Sequence, residues 1–385
     1  NIVDWLLQYA FEQRASDIHL EPRRGKAKVR FRIDGILHLV YELPDNVMTA
    51  MISRLKILGR MDVAEKRRPQ DGRIKTKAPN TCEVELRLST MPTAFGEKLV
   101  MRIFDPDVLL RSFSQLGLVA EDYADWQSMI KRAHGIVLVT GPTGSGKTTT
   151  LYSTLKQLAT DSVNVSTVED PIEMVVDAFN QSQIQPAIDF DFAAGIRTLM
   201  RQDPDIIMVG EIRDRATAEM AVQAALTGHL VLSTLHTNDA PTAISRLLDL
   251  KMPAHLIKAT LNGVMAQRLV RTLCLECRSE VECDTEAWHE LVGSSTLPPP
   301  SKVFQPSGCL ECRNTGYRGR EGLYEIMPLT NALLTYISNE SDSQNIRQAA
   351  ISQGMKTLRM AGAEKVLAGV TSMEEVLRVT PELGR

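Results

Sequence analysis

The feature that most constrains the fold of this chain is a glycine-rich loop between an apolar run and a helical segment. The loop, at residues 141–148, reads Gly-Pro-Thr-Gly-Ser-Gly-Lys-Thr and follows the strand-like run 136–140. Its glycines allow successive backbone N–H groups to turn inward around a polyphosphate, while Lys147 supplies a positive charge and the Thr148 hydroxyl is a ligand for Mg²⁺. The pattern predicts a strand, a phosphate-binding loop and a helix, in that order.

The segment after the loop supports this prediction. Residues 147–158 carry apolar side chains at Leu151, Leu155 and Leu158, so the loop opens a helix whose positive dipole end faces the anion. A chance match to the motif is the alternative, and the order of strand, loop and helix argues against it. We therefore expect ATP or another nucleoside triphosphate to bind here. The predicted nucleotide-binding residues of the loop are Gly141, Pro142, Thr143, Gly144, Ser145, Gly146, Lys147, Thr148 and Thr149.

The composition is typical of a globular protein. Of the 385 residues, 43% are hydrophobic and 24% are charged. No apolar run reaches the length of about 18 residues that spans a bilayer, and we expect no secretory leader and therefore a cytosolic chain. Because the chain starts at Asn1 without an initiator Met, directly in the helical pattern of Ile2, Trp5 and Leu6, we expect that an upstream portion has been removed.

The charge of the chain argues against nucleic acid as a partner. Its formal net charge is −3 and its pI is about 6.2. Proteins that bind a phosphate backbone usually carry a broad basic surface, which this balance does not provide.

Polarity patterns predict an α/β chain with several domains. The first hundred residues alternate in polarity, with strands predicted at 28–33, 35–41, 82–88 and 98–104 and a helix at 46–58, which indicates an α+β domain. Further on, nearly continuous apolar strands are predicted at 135–140, 164–168, 205–209 and 229–235, which is typical of a parallel sheet covered on both faces. The predicted division is an N-terminal domain at 1–104, a linker at 105–118, a core at 119–271, a cysteine module at 272–322 and a helical region at 323–385.

Acidic residues follow two of the predicted parallel strands. In an open parallel sheet the ligand crevice lies outside the carboxyl ends of the strands, so acids there are candidates for binding metal or orienting water. We assign Glu211 to orient and polarise the attacking water. We assign Glu169, Asp170 and Glu173 to bind Mg²⁺ or to support its ligands.

Two histidines and two arginines have less specific positions. His229 and His236 bracket one predicted strand, and a lone histidine is as often structural as functional. Arg197 and Arg201 lie four residues apart and share a face of a predicted helix. Such a pair either stabilises γ-phosphate charge or forms surface ion pairs, and the second is the commoner case.

Two Cys-x-x-Cys pairs predict a metal site. Their thiolates are the ligand set of a structural, tetrahedral Zn²⁺ ion. The insert between the pairs is long, but the two-residue spacing within each pair is what allows both of its cysteines to bind the same ion. Free or redox-active thiols are the alternative. Cys82 and Cys283 fall outside the pattern and are expected to be ordinary. The predicted zinc ligands are Cys274, Cys277, Cys309 and Cys312.

Together these segments resemble the motifs of the type II secretion ATPases (general secretion pathway protein E) and the type IV pilus assembly and retraction motors. Residues 141–148 resemble the Walker A loop, 167–173 the Asp box, 201–214 the Walker B region and 227–238 the His box. The similarity extends from about Ala15 to the C-terminus.

The resemblance implies a fold, an activity and partners. The expected fold is a PAS-like N-terminal α+β domain and a RecA-like P-loop ATPase domain with a zinc-binding insert and a helical C-terminal tail. The expected protein is a homo-hexamer that uses ATP and Mg²⁺ to drive assembly of a type II secretion pseudopilus or a type IV pilus. It would act in the cytoplasm, held at the inner membrane through the cytoplasmic domains of platform proteins.

The resemblance also implies roles for individual residues. Glu211 becomes the catalytic glutamate of an atypical Walker B in which Gly210 replaces the usual magnesium-binding Asp, which shifts metal binding toward Thr148 and the Asp-box acids. The resemblance implies that Arg87 and Arg102 reach the phosphates from the N-terminal domain. The other residues that it implies to act near the nucleotide are Arg197, Arg201, His229 and His236.

Two other functions stay open from the sequence. A nucleic-acid translocase also combines a RecA-like motor with zinc knuckles, but the acidic pI and the few aromatic residues argue against it. A nucleotide-dependent switch without turnover is favoured only if Gly210 has impaired metal binding.

Overall fold

The computed structural model describes residues 2–77, 83–104, 111–293 and 297–382. Cys82, residues 105–110 of the predicted linker and residues 294–296 lie outside the described residues. The chain divides into two compact units, Asn1–Val108 and Leu109–Arg385, which are described separately. Among the described residues, no helix combines the length and the apolar character needed to cross a membrane.

The first unit is an antiparallel six-stranded sheet that packs against two helices. Its elements are α1 (Ile2–Glu12), β1 (Asp17–Glu21), β2 (Ala27–Ile33), β3 (Ile36–Leu43), α2 (Asp45–Leu58), β4 (Gln70–Lys77), β5 (Glu83–Thr93) and β6 (Gly96–Phe104). The strand order is β3-β2-β1-β6-β5-β4. Alternate strand residues such as Phe31 and Leu86 join helix residues such as Leu6 and Leu55 in one core. The predicted α+β character is confirmed.

The strand predicted at 82–88 is longer than expected. β5 continues to Thr93 because it pairs with β6 from Glu85 onward, and the hairpin closes only where Thr93 faces Gly96. The hairpin pairing therefore continues through the proline at position 92, which lies beside the turn.

The second unit is built on a seven-stranded sheet with helices on both faces. Its strands are β7 (Gly135–Thr140), β8 (Val165–Glu169), β9 (Asn180–Gln183), β10 (Ile206–Val209), β11 (Leu230–Leu235), β12 (Leu261–Leu273) and β15 (Tyr317–Pro328), and a separate pair is β13 (Ser279–Glu282) with β14 (Lys302–Gln305). Its helices are α3 (Ala120–Ile130), α4 (Lys147–Leu158), α5 (Phe192–Leu199), α6 (Arg215–Leu226), α7 (Ala240–Asp249), α8 (Ala254–Thr260), α9 (Thr285–Val292), α10 (Asn331–Leu334), α11 (Ser343–Ser352), α12 (Leu358–Leu367) and α13 (Met373–Val379).

The large sheet is parallel apart from one edge. Its order is β15-β12-β7-β11-β10-β8-β9, and only the β12–β15 pair is antiparallel. Successive strand residues enter opposite cores: Leu138 packs with α5 and α6 on one face, whereas Val137 packs with α3 and α4 on the other. This two-sided burial explains why the strands are nearly continuous in apolar residues.

The sequence predicted much of this core. The helix predicted at 147–158 is α4 itself, and the four predicted parallel strands are confirmed to within one residue at each end. The prediction missed β12 and β15, which extend the sheet beyond β7. The further division of this unit into a core, a cysteine module and a helical tail stays a prediction.

Candidate nucleotide-binding site

The phosphate loop connects the end of β7 to the first turn of α4. Gly141, Gly144 and Gly146 have φ angles of 151°, 80° and 89°, which side chains disfavour. A Cβ atom on Gly141 would also lie 2.5 Å from the Gln267 carbonyl oxygen, and one on Gly146 would lie 2.8 Å from Nε2 of the same glutamine. Glycine is therefore required at both ends of the loop for conformation and for space.

Lys147 closes the loop on itself. Its ammonium group donates hydrogen bonds to the carbonyl oxygens of Gly141, at 2.7 Å, and Pro142, at 3.0 Å. Burial lowers the pKa of Lys147 to about 8, the charge of Glu211 opposes that shift, and the charge of Arg268 adds to it. The lysine is thus a buried cation whose present partners are neutral carbonyl groups.

One loop residue supports an anion as the missing partner. The Ser145 hydroxyl is buried and has no hydrogen-bond partner within the described residues. A polyphosphate in the loop would offer it an acceptor, and would replace the carbonyl oxygens that now contact Lys147. Thr148 and Thr149 are half-buried in the first turn of α4, where the Thr148 hydroxyl is suited to bind Mg²⁺. Pro142, Thr143 and Gly144 form the exposed tip of the loop.

Glu211 lies at the same edge of the sheet, just after β10. Arg213 donates a hydrogen bond of 2.5 Å to Oε1 of Glu211, and Nε2 of His236 lies 3.5 Å from Oε2. The Arg213 guanidinium also lies 4.0 Å from the Asp170 carboxylate. Since parallel strands end at the same edge, the structure brings together Glu211, His236, Asp170 and the charge of Lys147.

The histidine at this edge is held uncharged. Burial lowers the pKa of His236, Lys147 and Arg213 lower it further, and Glu211 opposes them. His236 therefore favours the neutral form at neutral pH, in which one ring nitrogen accepts and the other donates.

The three Asp-box acids have different environments. Glu169 is buried and accepts hydrogen bonds from Tyr152, from Thr167 at 2.6 Å and from Gln181 at 3.1 Å, and burial raises its pKa. Asp170 is exposed. Glu173 is half-buried, with Oε2 lacking a hydrogen-bond partner in the described part of the chain. Asp170 and Glu173 retain free carboxylate oxygens for a metal or its waters, whereas Glu169 is engaged within the protein.

The structure separates the two predicted histidines. β11 begins at Leu230, so His229 precedes it at the opposite edge of the sheet from the phosphate loop, with Nδ1 2.9 Å from the Ala224 carbonyl oxygen. Only His236 follows the strand and reaches Glu211. Within one chain, the length of strand β11 separates His229 from the phosphate loop.

The predicted arginine pair does not share a helix face. α5 ends at Leu199, and Arg201 lies beyond it, where its guanidinium donates to the Arg197 carbonyl oxygen at 3.0 Å. Pro204 and the turn before β10 shorten the helix relative to the prediction. Both arginine side chains are exposed.

In the first unit, Arg87 and Arg102 face each other directly across β5 and β6. Arg73 continues the row, because it faces Arg87 across β4 and β5. Like charges at directly opposed positions are unfavourable, and each arginine of this row has a carboxylate beside it, which for Arg73 is Glu85 at 2.9 Å. Arg102 Nε donates to Asp17 at 3.0 Å, and Arg87 lies 4.0 Å from Asp71. The sequence analysis missed Arg73, since only the strand register reveals it.

Sequence reasoning also missed residues around the loop. Arg213 follows Glu211 by two positions, and the only sequence feature that could have indicated a role for it is its position in an acidic segment. Gln267 and Arg268 interrupt an apolar run, which is a readable signal for a polar role inside a strand.

The four predicted zinc ligands form one cluster. Their sulfur atoms all lie within 4.8 Å of one another, with Sγ–Sγ distances of 3.8 Å for Cys274–Cys309 and 3.7 Å for Cys277–Cys312. A tetrahedron with Zn–S bonds of about 2.3 Å has edges of about 3.8 Å, so the cluster fits one Zn²⁺ ion. Burial opposes ionisation of Cys312, but the N–H groups of Cys309 and Gly316 outweigh it and lower its pKa to about 6. Cys283 lies outside the cluster.

The depressed pKa of Lys147 predicts how nucleotide binding depends on pH. A polyphosphate stabilises the ammonium form, so binding near or above pH 8 takes up a proton, and the affinity for ADP falls by up to about tenfold for each pH unit above that value. Calorimetry in buffers of different ionisation enthalpy measures this uptake. A Lys147→Arg variant that still binds ADP stays charged and loses the dependence. An affinity that does not change between about pH 7 and 9 would contradict the prediction.

Comparisons with known proteins identify the family of this chain. The family model described as "Type II/IV secretion system protein" matches residues 1–378. The chain is 62% identical over 380 residues to the type IV pilus assembly ATPase TfpB of Acinetobacter baylyi, covering 99% of this chain and 65% of that protein. It is 44% identical over 381 residues to the type II secretion system ATPase E of Vibrio cholerae, covering 99% of this chain and 75% of that protein.

Solved structures share the fold. The Legionella pneumophila ATPase DotB superposes with a TM-score of 0.71 at 22% identity, over 98% of this chain and 95% of DotB. The pilus retraction motor PilT with bound ADP superposes with a TM-score of 0.67 at 24% identity, over 100% of this chain and 98% of PilT. The chain thus spans about two thirds of the length of the TfpB relative and nearly all of these shorter structures. It belongs to the type II/IV secretion system protein family.

Proposed function

We propose that this chain is the ATP-hydrolysing part of a motor that drives assembly of a type II secretion pseudopilus or a type IV pilus. The observation that carries the proposal is the convergence of the phosphate loop, Glu211 and His236 at one edge of a parallel sheet. Relatives named as type IV pilus assembly and type II secretion ATPases support the choice of client.

In the proposed reaction the loop amides and Lys147 hold the triphosphate. Thr148 together with Asp170 and Glu173, or their waters, would hold Mg²⁺, which would supply positive charge beside the phosphates. Glu211 orients the attacking water and accepts its proton. His236, in the neutral form of its imidazole, contacts Glu211 and keeps the Glu211 carboxylate near the phosphate loop.

We infer further that the motor is a homo-hexamer. Arg87 and Arg102 contribute positive charge from the first unit to a phosphate. The exposed Arg197 and Arg201 contribute positive charge at the surface of the second unit. His229, which lies at the opposite edge of the sheet within its own chain, then acts through a neighbouring subunit or as a structural residue. The motor acts in the cytoplasm and is recruited to the inner membrane by the cytoplasmic domains of platform proteins.

We also infer that the four-cysteine cluster binds structural zinc. Zn²⁺ would hold the two Cys-x-x-Cys turns together, where N–H groups already donate to sulfur, as Gly308 does to Cys277 at 3.3 Å and Gly316 to Cys312 at 3.1 Å. β12 leads directly into this cluster at Cys274, so the metal would hold the chain just beyond the end of the strand next to the β15 edge.

Turnover measurements on two variants test the proposed chemistry. Glu211→Gln keeps nucleotide binding but lowers the ATP turnover number by about a hundredfold or more, because the water loses its base. Lys147→Ala loses nucleotide binding itself. Glu219→Gln, which removes an exposed carboxylate that pairs only with Arg215 among the described residues, is the matched control and keeps full activity. Undiminished turnover in the two site variants would refute the assignment, and ATP that stays uncleaved in a single turnover of the unaltered chain would favour a switch.

Metal analysis tests the zinc assignment. Protein that has never met a chelator is expected to contain about one zinc per chain, and the Cys277→Ser/Cys312→Ser variant is expected to lose it together with thermal stability. Cys283→Ser is the matched control and keeps both. Less than about half an equivalent of zinc in the unaltered chain would contradict the assignment.

A further inference from the structure

Two polar residues of β12 lie behind the phosphate loop. β12 runs parallel to β7, and its register places Ala266 opposite Thr140, the last residue before the loop. The next two residues, Gln267 and Arg268, therefore extend past the end of β7, level with the loop. Both are buried.

Gln267 contacts both ends of the loop. Its backbone carbonyl oxygen lies where a Cβ on Gly141 would clash, and its side-chain amide lies where a Cβ on Gly146 would clash. Its Oε1 also accepts a hydrogen bond of 2.8 Å from the Thr150 hydroxyl in the first turn of α4. Gln267 thus determines how closely the loop and the start of α4 pack on β12.

Arg268 joins two distant segments to β12. Its guanidinium donates to the carbonyl oxygens of Asn238 at 2.7 Å and of Val379 at 3.1 Å, and also to that of the preceding residue, Gln267, at 3.0 Å. Its Nη1 lies 3.1 Å from the position of a Cβ on Gly141. One side chain therefore holds the segment after β11 and the end of α13 against β12, beside the base of the loop.

The charge of Arg268 also acts on the loop. Only 5% of the residue is exposed, and the carboxylates whose charges act on it are Glu325 and Asp239. It is one of the charges that disfavour the protonated form of Lys147. A fixed cation behind a buried lysine raises the potential at the loop, and a bound polyphosphate relieves that repulsion.

We propose that Arg268 is a positioning residue that sets the affinity of the phosphate loop for di- and triphosphates alike, and that Gln267 shares this role. The inference rests on the proposed nucleotide site and names residues that touch no substrate. Because Arg268 makes no hydrogen bond to Glu211, Arg213 or His236 within the described part of the chain, its loss is expected to change binding more than the hydrolytic step.

Equilibrium binding of fluorescent ADP and of a non-hydrolysable fluorescent ATP analogue tests the proposal. Arg268→Gln is expected to weaken both affinities by a similar factor of about ten, and to leave turnover at saturating ATP within about twofold of the unaltered chain. Arg268→Lys keeps the charge, but its single ammonium nitrogen cannot occupy the positions of the three guanidinium nitrogens that donate here, so it recovers only part of the loss. Gln267→Leu tests the same claim if Arg268→Gln does not fold, and is expected to weaken both affinities.

Arg359→Gln is the matched control. Arg359 is equally buried and also donates to backbone carbonyl oxygens, those of Pro381 at 2.9 Å and Glu290 at 2.7 Å, but within the described residues it makes no hydrogen bond to the loop. It should lower the melting temperature as much as Arg268→Gln while leaving nucleotide affinity unchanged. Equal loss of affinity in the two variants, or none in Arg268→Gln, would overturn this inference alone. Absence of nucleotide binding by the unaltered chain would overturn the proposed function as well.

Discussion

The site depends on the parallel pairing of β7 with β11 and on how that pair ends. The buried Thr140 hydroxyl lies 2.7 Å from the Thr237 hydroxyl and accepts a hydrogen bond of 2.8 Å from the Thr237 backbone N–H. This contact fixes where the phosphate loop leaves the sheet relative to the segment that carries His236. With β10 as the next strand, Glu211 reaches the same edge. A small change in register between these strands would separate Lys147 from Glu211.

The site holds its charged groups in an internally paired arrangement. Lys147 is bound to carbonyl oxygens of its own loop, and Glu211 contacts Arg213 and His236. Buried charges require partners, and these groups have found them within the protein. In the proposed reaction, a triphosphate with Mg²⁺ would offer both groups stronger partners, so binding would rearrange side chains on a backbone that is already in position. Such a small rearrangement is consistent with a phosphate loop whose glycines pack against β12 on one side.

The sequence was informative where the determinants are local. The glycines and Lys147 specify the loop and the first turn of α4, and the boundaries of α4 were predicted correctly, since no distant contact is needed to start that helix. The apolar strands were found because burial on both faces leaves an unbroken signal. Glu211 and His236 follow their strands, and strand direction alone places them at the ligand edge.

The rest depends on contacts distant in sequence. The row of Arg73, Arg87 and Arg102 exists only through the register of β4, β5 and β6. β12 joins the sheet more than a hundred residues after β7, so the role of Arg268 had no local signature beyond a charge in an apolar run.

A crystal structure of the chain with Mg²⁺ and a non-hydrolysable ATP analogue tests the central claim most directly. The account predicts that the Lys147 ammonium leaves the carbonyl oxygens of Gly141 and Pro142 for the β and γ phosphates. It also predicts that the Glu211 carboxylate faces a water in line with the γ-phosphorus. Phosphates bound outside the loop, or a Glu211 carboxylate directed away from the γ-phosphate with Lys147 still on its carbonyl partners, would contradict it.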